Sequence, residues 1–326
     1  MAWPLVRAYA HAELPRYGYL LHWFGMNDQD RWANAPTVRI RDRFHHHLVE
    51  LDLTDFFQRI AYFFGCYGEL DVLSACGACL RPGEAFLDGG ANIGLVTLHA
   101  AAIVGPEGRV DACECNPRIL PRLRFHAGIN RLAQVSVHPV GLGERPAMLP
   151  LHLPGTGNAA AATLGPIPDR YGVERTDLGM VRIMPADDLL DPADHRPLTV
   201  KLDVEGFEAK VLRGMGRILR LRRPAIITEI NPELLACNGD SVAGICGLLA
   251  PLGYRPFALD RAGFRKRHRL WLHPLLDEEV AWERDVLFVS EGSPHWDRLR
   301  PLMQPRGMFW RHIEFARAAA GARGIA

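Results

Sequence analysis

Between a short apolar run, Ala85 to Leu87, and an apolar helix-forming stretch, Ile93 to Val104, the chain reads Asp88-Gly89-Gly90-Ala91-Asn92-Ile93-Gly94. A glycine-rich turn in that position joins a buried strand to the start of a helix. Glycines there admit positive φ and let a ligand come close to the backbone. The helix start adds free N–H groups and a partial positive charge. A chain built around such a turn is constrained to an α/β architecture in which parallel strands alternate with helices.

The pattern continues beyond the turn. Gly105-Pro106 stops the first helix, and Arg109 to Cys113 reads as a second strand. Asn116-Pro117 then fits an N-cap followed by proline at the first helical position. Further strands are predicted at Val135 to Val140, Leu198 to Leu202, Ala225 to Ile230, Tyr254 to Leu259 and Asp285 to Val289. This succession predicts a mainly parallel, doubly wound sheet, with the last two strands forming an antiparallel hairpin at its edge. Ahead of it, Thr37 to Leu53 reads as two short strands, and Thr54-Asp55 caps a helix with Phe56, Phe57, Ile60 and Phe63 on its apolar face. The division expected is an N-terminal extension over 1–80, the α/β domain over 81–290, and a tail over 291–326 with a helix near Met308 to Ala320.

Two cofactor classes compete for the turn. A dinucleotide fingerprint wants Gly-x-Gly-x-x-Gly, the middle glycine letting the backbone reach a pyrophosphate. Here those positions hold Gly89, Ala91 and Gly94. Asp88 also closes the strand beneath the turn, where its charge would repel a pyrophosphate but attract the ammonium of S-adenosylmethionine. Glu114, at the end of the second strand, is placed to accept hydrogen bonds from both ribose hydroxyls of either cofactor. Asp88 tips the balance to S-adenosylmethionine, and Asp88, Gly89, Gly90, Ala91, Asn92, Gly94 and Glu114 are the expected contacts. The competing readings are a nicotinamide-dependent oxidoreductase and a non-catalytic binding module.

A second acidic loop, Lys201-Leu202-Asp203-Val204-Glu205-Gly206-Phe207-Glu208, follows a later strand and opens a helix running toward Leu219. Strand ends of an open α/β sheet face the ligand crevice, so Asp203 is expected at the reacting centre. Glu205 and Glu229 are its expected companions, and Glu208 is expected to stabilise the helix N-terminus. Asp203, Glu229 and Asn231 together offer oxygen ligands suited to a hard cation. Their Glu-x-Asn spacing differs from that of metal-dependent O-methyltransferases, and no metal is expected.

These segments resemble the FkbM-type methyltransferases. The matching residues are Phe86 to Gly94, Glu114-Cys115-Asn116-Pro117, Lys201 to Glu208, and Arg222-Arg223-Pro224 leading into the Glu229 strand. The resemblance implies a Rossmann-like class I methyltransferase fold using S-adenosylmethionine, often on hydroxyls of sugars or natural products. It also implies that Gly90 stands where a branched apolar residue is more usual, and Cys115 where proline is. The expected activity is thus O-methylation of a small-molecule acceptor, with Asp203, Glu205 and Glu229 at the catalytic end.

Composition excludes other roles. A formal charge of +1 over 326 residues gives no field for nucleic acid or an acidic membrane. Seven cysteines in apolar surroundings and the lack of a secretory signal predict a cytoplasmic protein. Cys76-Gly77-Ala78-Cys79 has half a metal-site spacing without a second half, and reads as structural thiols on a helix. Cys113 and Cys115 read as small strand-end hydrophobes. His45-His46-His47 reads as part of a half-exposed strand, and Arg261 to Arg269 as a solvated hairpin tip.

Overall fold

The computed structural model describes residues 3–12, 21–23, 25–154, 162–166, 175–262, 269–275 and 283–303. The tail helix expected near Met308 to Ala320 and residues 263–268 of the basic tip Arg261 to Arg269 lie outside them. An antiparallel hairpin, β1 (Thr37–Arg41) and β2 (Leu48–Asp52), precedes the main sheet. That sheet has eight strands. Its parallel body is β3 (Ala85–Gly89), β4 (Arg109–Cys113), β5 (Val135–His138), β9 (Leu198–Leu202) and β10 (Ala225–Ile230). Three further strands are β11 (Tyr254–Ala262), β12 (Arg269–Pro274) and β13 (Arg284–Ser290), in the overall order β12-β11-β13-β10-β9-β3-β4-β5. The fold is Rossmann-like α/β.

Alternation along the strands explains why both sheet faces are covered. In β3, Ala85 and Leu87 point into one core while Phe86 points into the other. Ile226 and Ile227 of β10 divide in the same way, as do Val286 and Leu287 of β13. One face is packed by helices at Glu208–Arg213, Gly216–Leu221 and Val242–Leu249. The other is packed by Leu70–Cys79, Leu95–Val104 and Trp296–Leu299. Each fully buried large apolar side chain here stabilises by about 1.5–3 kcal/mol.

Three sequence expectations need correction. β11 and β13 do pair antiparallel, but β13 lies inside the sheet, between β10 and β11, and β12 takes the edge. The unbroken buried run from Val286 to Ser290 is what a strand covered on both faces requires. A second sheet, β6 (Gly141–Leu142), β7 (Ala147–Pro154) and β8 (Arg175–Met184), was not foreseen. Its outer residues are largely exposed, so the chain shows no strong period there. Finally, His45 and His47 sit in the turn joining β1 and β2, not in a strand. Asp42 accepts from the backbone N–H groups of Phe44, His45 and His47, which folds the turn.

The N-terminal segment is tied in by a buried cation. Arg59 is fully buried and donates to the carbonyls of Leu53 and Thr54 and to Gln29 Oε1. These hydrogen bonds to Nη1 and Nη2 offset part of the cost of burying the charge, while Nε has no partner. It fixes the helix Phe56–Phe64, which Asp55 caps by accepting from the Gln58 N–H. Phe63 points into the core from that helix, whereas Phe57 is 39% exposed and faces the sheet's ligand crevice.

Candidate active site

The glycine turn is stitched to the strands on both sides. Gly90 N–H and Ala91 N–H donate to the Cys113 carbonyl at 3.1 and 3.0 Å, and Asp203 N–H donates to the Gly89 carbonyl at 3.1 Å. Gly90 has φ +74°, and a Cβ there would lie 1.9 Å from the Asp203 carbonyl oxygen. The branched residue that the resemblance implies is more usual here is therefore excluded by contact with backbone. At Gly89 an added methyl would meet mainly the side-chain ends of Leu202 and Leu142, at 3.0 and 3.1 Å. That position has room to adjust.

Glu114 is held by the same turn. Its Oε2 accepts from Asn92 N–H at 2.8 Å and its Oε1 from Asn116 N–H at 2.7 Å. Each oxygen keeps a second lone pair. Burial pushes the carboxyl above its usual range, while the two N–H groups pull it back. Asn116 begins the following turn by accepting from Arg118 N–H, and the regular helix starts only at Leu120, later than Asn116-Pro117 suggested.

Two adjoining cavities, about 290 and 210 Å³, lie over the carboxyl ends of these strands. Phe57, Tyr67, Glu69, Asn92 and Asp203 line both. The larger is walled by Gly90, Glu114, Val140, Leu142, Leu151 and Leu164 and ends at Glu205, Glu229 and Glu283. Ala91 lines the smaller cavity. Asp88, Gly89 and Gly94 line neither.

Asp88 is fully buried, with Oδ2 accepting from Thr97 Oγ1 at 2.6 Å and Oδ1 lying 3.5 Å from Lys201 Nζ. Lys201 Nζ in turn lies 3.1 Å from Asp203 Oδ2 and donates to the Gly90 carbonyl at 3.0 Å. Burial opposes its charge, but Asp203 and Asp88 outweigh that and hold the ammonium protonated. The charge of Asp88 thus reaches the cavity wall through Lys201 rather than directly.

The acidic end is crowded. Burial, then the neighbouring carboxylate of Asp203, push the carboxyls of Glu205, Glu229 and Glu69 upward. Glu205 has φ +51° and is followed by Gly206 at +93°, a tight turn in which non-glycine residues are strained. Glu208 closes that turn by accepting from Val204 N–H and Gly206 N–H, and burial pushes it up to about 7. The three oxygen donors weighed for a cation do not converge. Asn231 Oδ1 caps the helix Pro232–Cys237 and its amide donates to Glu283 Oε2, so it does not face Asp203. Among the described residues no group of three or more acidic, histidine or cysteine side chains is arranged to hold a metal ion.

In the sequence Phe57 reads only as part of a helix face, and nothing marks Tyr67, Glu69 or Glu283. Tyr67 Oη donates to Glu69 Oε2 at 2.9 Å, between the two cavities. These residues carry no motif, and the fold alone brings them to the site. His45 Nε2 and His99 Nδ1 are hydrogen-bonded at 2.9 Å, and neither lines either cavity.

Comparison with known proteins gives the following. The Methyltransferase FkbM domain matches residues 88–256. Among solved structures, a methyltransferase FkbM from Methylobacillus flagellatus is similar at 15% identity, covering 83% of this chain and 60% of that one, with a TM-score of 0.37. A precorrin-6y C5,15-methyltransferase from Geobacter metallireducens gives 14% identity, 69% and 90% coverage, and a TM-score of 0.38. Aeropyrum pernix fibrillarin, in complex with S-adenosyl-L-methionine, gives 15%, 67% and 75%, and 0.35. Comparison with curated proteins gives no match. With the FkbM domain spanning more than half of its residues, the chain belongs to the FkbM methyltransferase family and is an S-adenosylmethionine-dependent methyltransferase.

Proposed function

We propose that the methyl is transferred to a hydroxyl of a small-molecule acceptor, of sugar or natural-product type, in the crevice over β3, β4, β9 and β10. The observation that carries this reading is Asp203, a carboxylate lining both cavities and fixed by Lys201 at 3.1 Å. Residues 81–290 form the transferase domain in this reading, and residues 1–80 add Phe57, Tyr67 and Glu69 to its walls. A cytoplasmic site of action fits the seven cysteines, which form no disulfide among the described residues. Among the described residues no helix is long and apolar enough to cross a membrane.

The residues fit the donor. A glycine turn whose Gly90 lines the cavity, and a buried Glu114 with lone pairs left over, suit an adenosyl group with a ribose diol. Gly90, Ala91, Asn92 and Glu114 form the contact surface, while Gly89 and Gly94 shape the turn and Asp88 anchors Lys201. Bound S-adenosylmethionine supplies an electrophilic methyl on a sulfonium. The protein's task is then chiefly alignment, which can contribute about 7–11 kcal/mol. A carboxylate is too weak a base to ionise an alcohol beforehand. Asp203 therefore orients the acceptor hydroxyl and takes its proton as the new carbon–oxygen bond forms and the carbon–sulfur bond breaks. Glu205 and Glu229 shape the acceptor end.

Replacing Glu114 tests the donor assignment. Losing a hydrogen bond to a charged group costs about 1.5–3 kcal/mol, so Glu114→Ala weakens S-adenosylmethionine binding at least about tenfold. Glu114→Gln is expected to be nearly as damaging, because its NH₂ would face a backbone N–H that the carboxylate now accepts. Unchanged affinity by calorimetry would remove Glu114 from the donor site. Transfer from a ¹³C-methyl donor, read by NMR, separates an O-methyl from an N-methyl product.

A further inference from the structure

We infer that the acceptor is a cation, an amino alcohol or amino sugar whose ammonium is held at the acidic end of the larger cavity while its hydroxyl meets Asp203. This rests on the site assignment above and names the substrate class for it. Glu69, Asp203, Glu205, Glu229 and Glu283 all line this cavity, whereas Lys201 is the sole basic residue lining either cavity among the described residues. Lys201 is already committed to Asp88, Asp203 and the Gly90 carbonyl. The carboxylates of Glu205 and Glu229 receive no hydrogen bond or ion pair from any described residue, although both are half-buried at this end of the pocket. Ionised carboxylates are acceptor-only groups, and buried ones call for donors. An ammonium brings three donors and the missing charge.

The donor does not supply enough charge to do this. S-adenosylmethionine carries an ammonium, a sulfonium and a carboxylate, so it adds a single net positive charge. The aromatic walls point the same way, since the rings of Phe57 and Tyr67 border the crevice beside Glu69, and aromatic faces attract cations. A neutral acceptor could donate hydroxyl hydrogen bonds to these groups but would bring no charge to balance them, and an anionic one would be repelled by them. The arrangement also selects which atom is methylated. An amine surrounded by carboxylates stays protonated and has no lone pair to attack with, so the hydroxyl is the nucleophile. In the transfer the hydroxyl proton passes to Asp203, the carbon–oxygen bond forms, the carbon–sulfur bond breaks, and the ammonium is unchanged.

The test uses the full chain saturated with S-adenosylhomocysteine and a set of small amino alcohols and amino sugars, each paired with its N-acetyl derivative. Acetylation removes the charge and keeps the hydroxyls. Ligand-observed NMR and calorimetry are expected to show free amines binding at least about tenfold tighter than their acetylated partners. Glu229→Gln and, separately, Glu205→Gln should erase most of that preference while S-adenosylmethionine affinity stays within about threefold. Equal or tighter binding of the acetylated partners, no member of the set discriminating, or a preference that survives both variants would each overturn the inference. Failure of the parent protein to bind S-adenosylmethionine would instead overturn the site assignment beneath it. Both variants are close to isosteric and reduce mutual repulsion, so melting temperatures at or above the parent's are expected, and donor affinity reports on folding independently.

Discussion

Asp203→Asn is expected to lower turnover about a hundredfold or more while leaving S-adenosylmethionine affinity within about threefold. The substitution keeps the side chain's size and removes its charge and its capacity to take a proton. General-base assistance typically contributes 10²- to 10⁴-fold, which sets the magnitude. Lys201 keeps its contacts to Asp88, at 3.5 Å, and to the Gly90 carbonyl, at 3.0 Å, so the glycine turn should stay in place. That separation makes the measurement informative. If Asp203 served only to hold Lys201, the loss would appear in donor affinity and the single-turnover rate would hardly change. Single-turnover kinetics with labelled donor, beside calorimetry on the same protein, decide between the two roles. A rate within a few fold of the parent would return Asp203 to a structural part.

Gly90→Ala is expected to abolish measurable donor binding, a loss of at least about a hundredfold, and to lower the melting temperature. Two costs combine. A left-handed backbone costs a non-glycine residue roughly 1–2 kcal/mol, and Gly90 sits at φ +74°. The added methyl would also overlap the Asp203 carbonyl, at 1.9 Å, and that carbonyl belongs to the strand end that carries the proposed acceptor-binding carboxylate. Relief therefore has to displace either the donor turn or Asp203. Gly89→Ala provides the control, since its methyl meets movable leucine ends at 3.0 and 3.1 Å and a carbonyl at 3.3 Å. It should bind the donor at least tenfold better than Gly90→Ala. Comparable binding by the two variants would show that the close approach at 90 has no part in holding the donor.

The local sequence determined the parts of the site that depend on short-range chemistry. Asp88 to Gly94 between an apolar strand and a helix requires a turn with glycines at positive φ. Gly90 and Gly94 adopt it, at +74° and +90°. Glu114 and Asp203 follow their strands directly, so a correct strand assignment was enough to put both at the crevice. The Rossmann-like alternation was legible for the same reason, because buried parallel strands leave continuous apolar runs.

Tertiary structure decided what depends on residues far apart in the chain. Asp88 looked like a cavity residue because it adjoins the glycine turn. Its contact with Lys201 follows from the pairing of β3 with β9, which brings together residues more than a hundred positions apart. Asn231 looked like a ligand beside Glu229, but the helix after β10 needs its oxygen as a cap. The insertion of β13 between β10 and β11 depends on which edge was free, which no local pattern encodes. The acidic end of the cavity joins Glu69 from before β3, Asp203 and Glu205 after β9, Glu229 in β10 and Glu283 beside β13. Charges so far apart in sequence acquire a common field only when the sheet closes the distance between them, since their interaction depends on separation in space and on the water excluded between them.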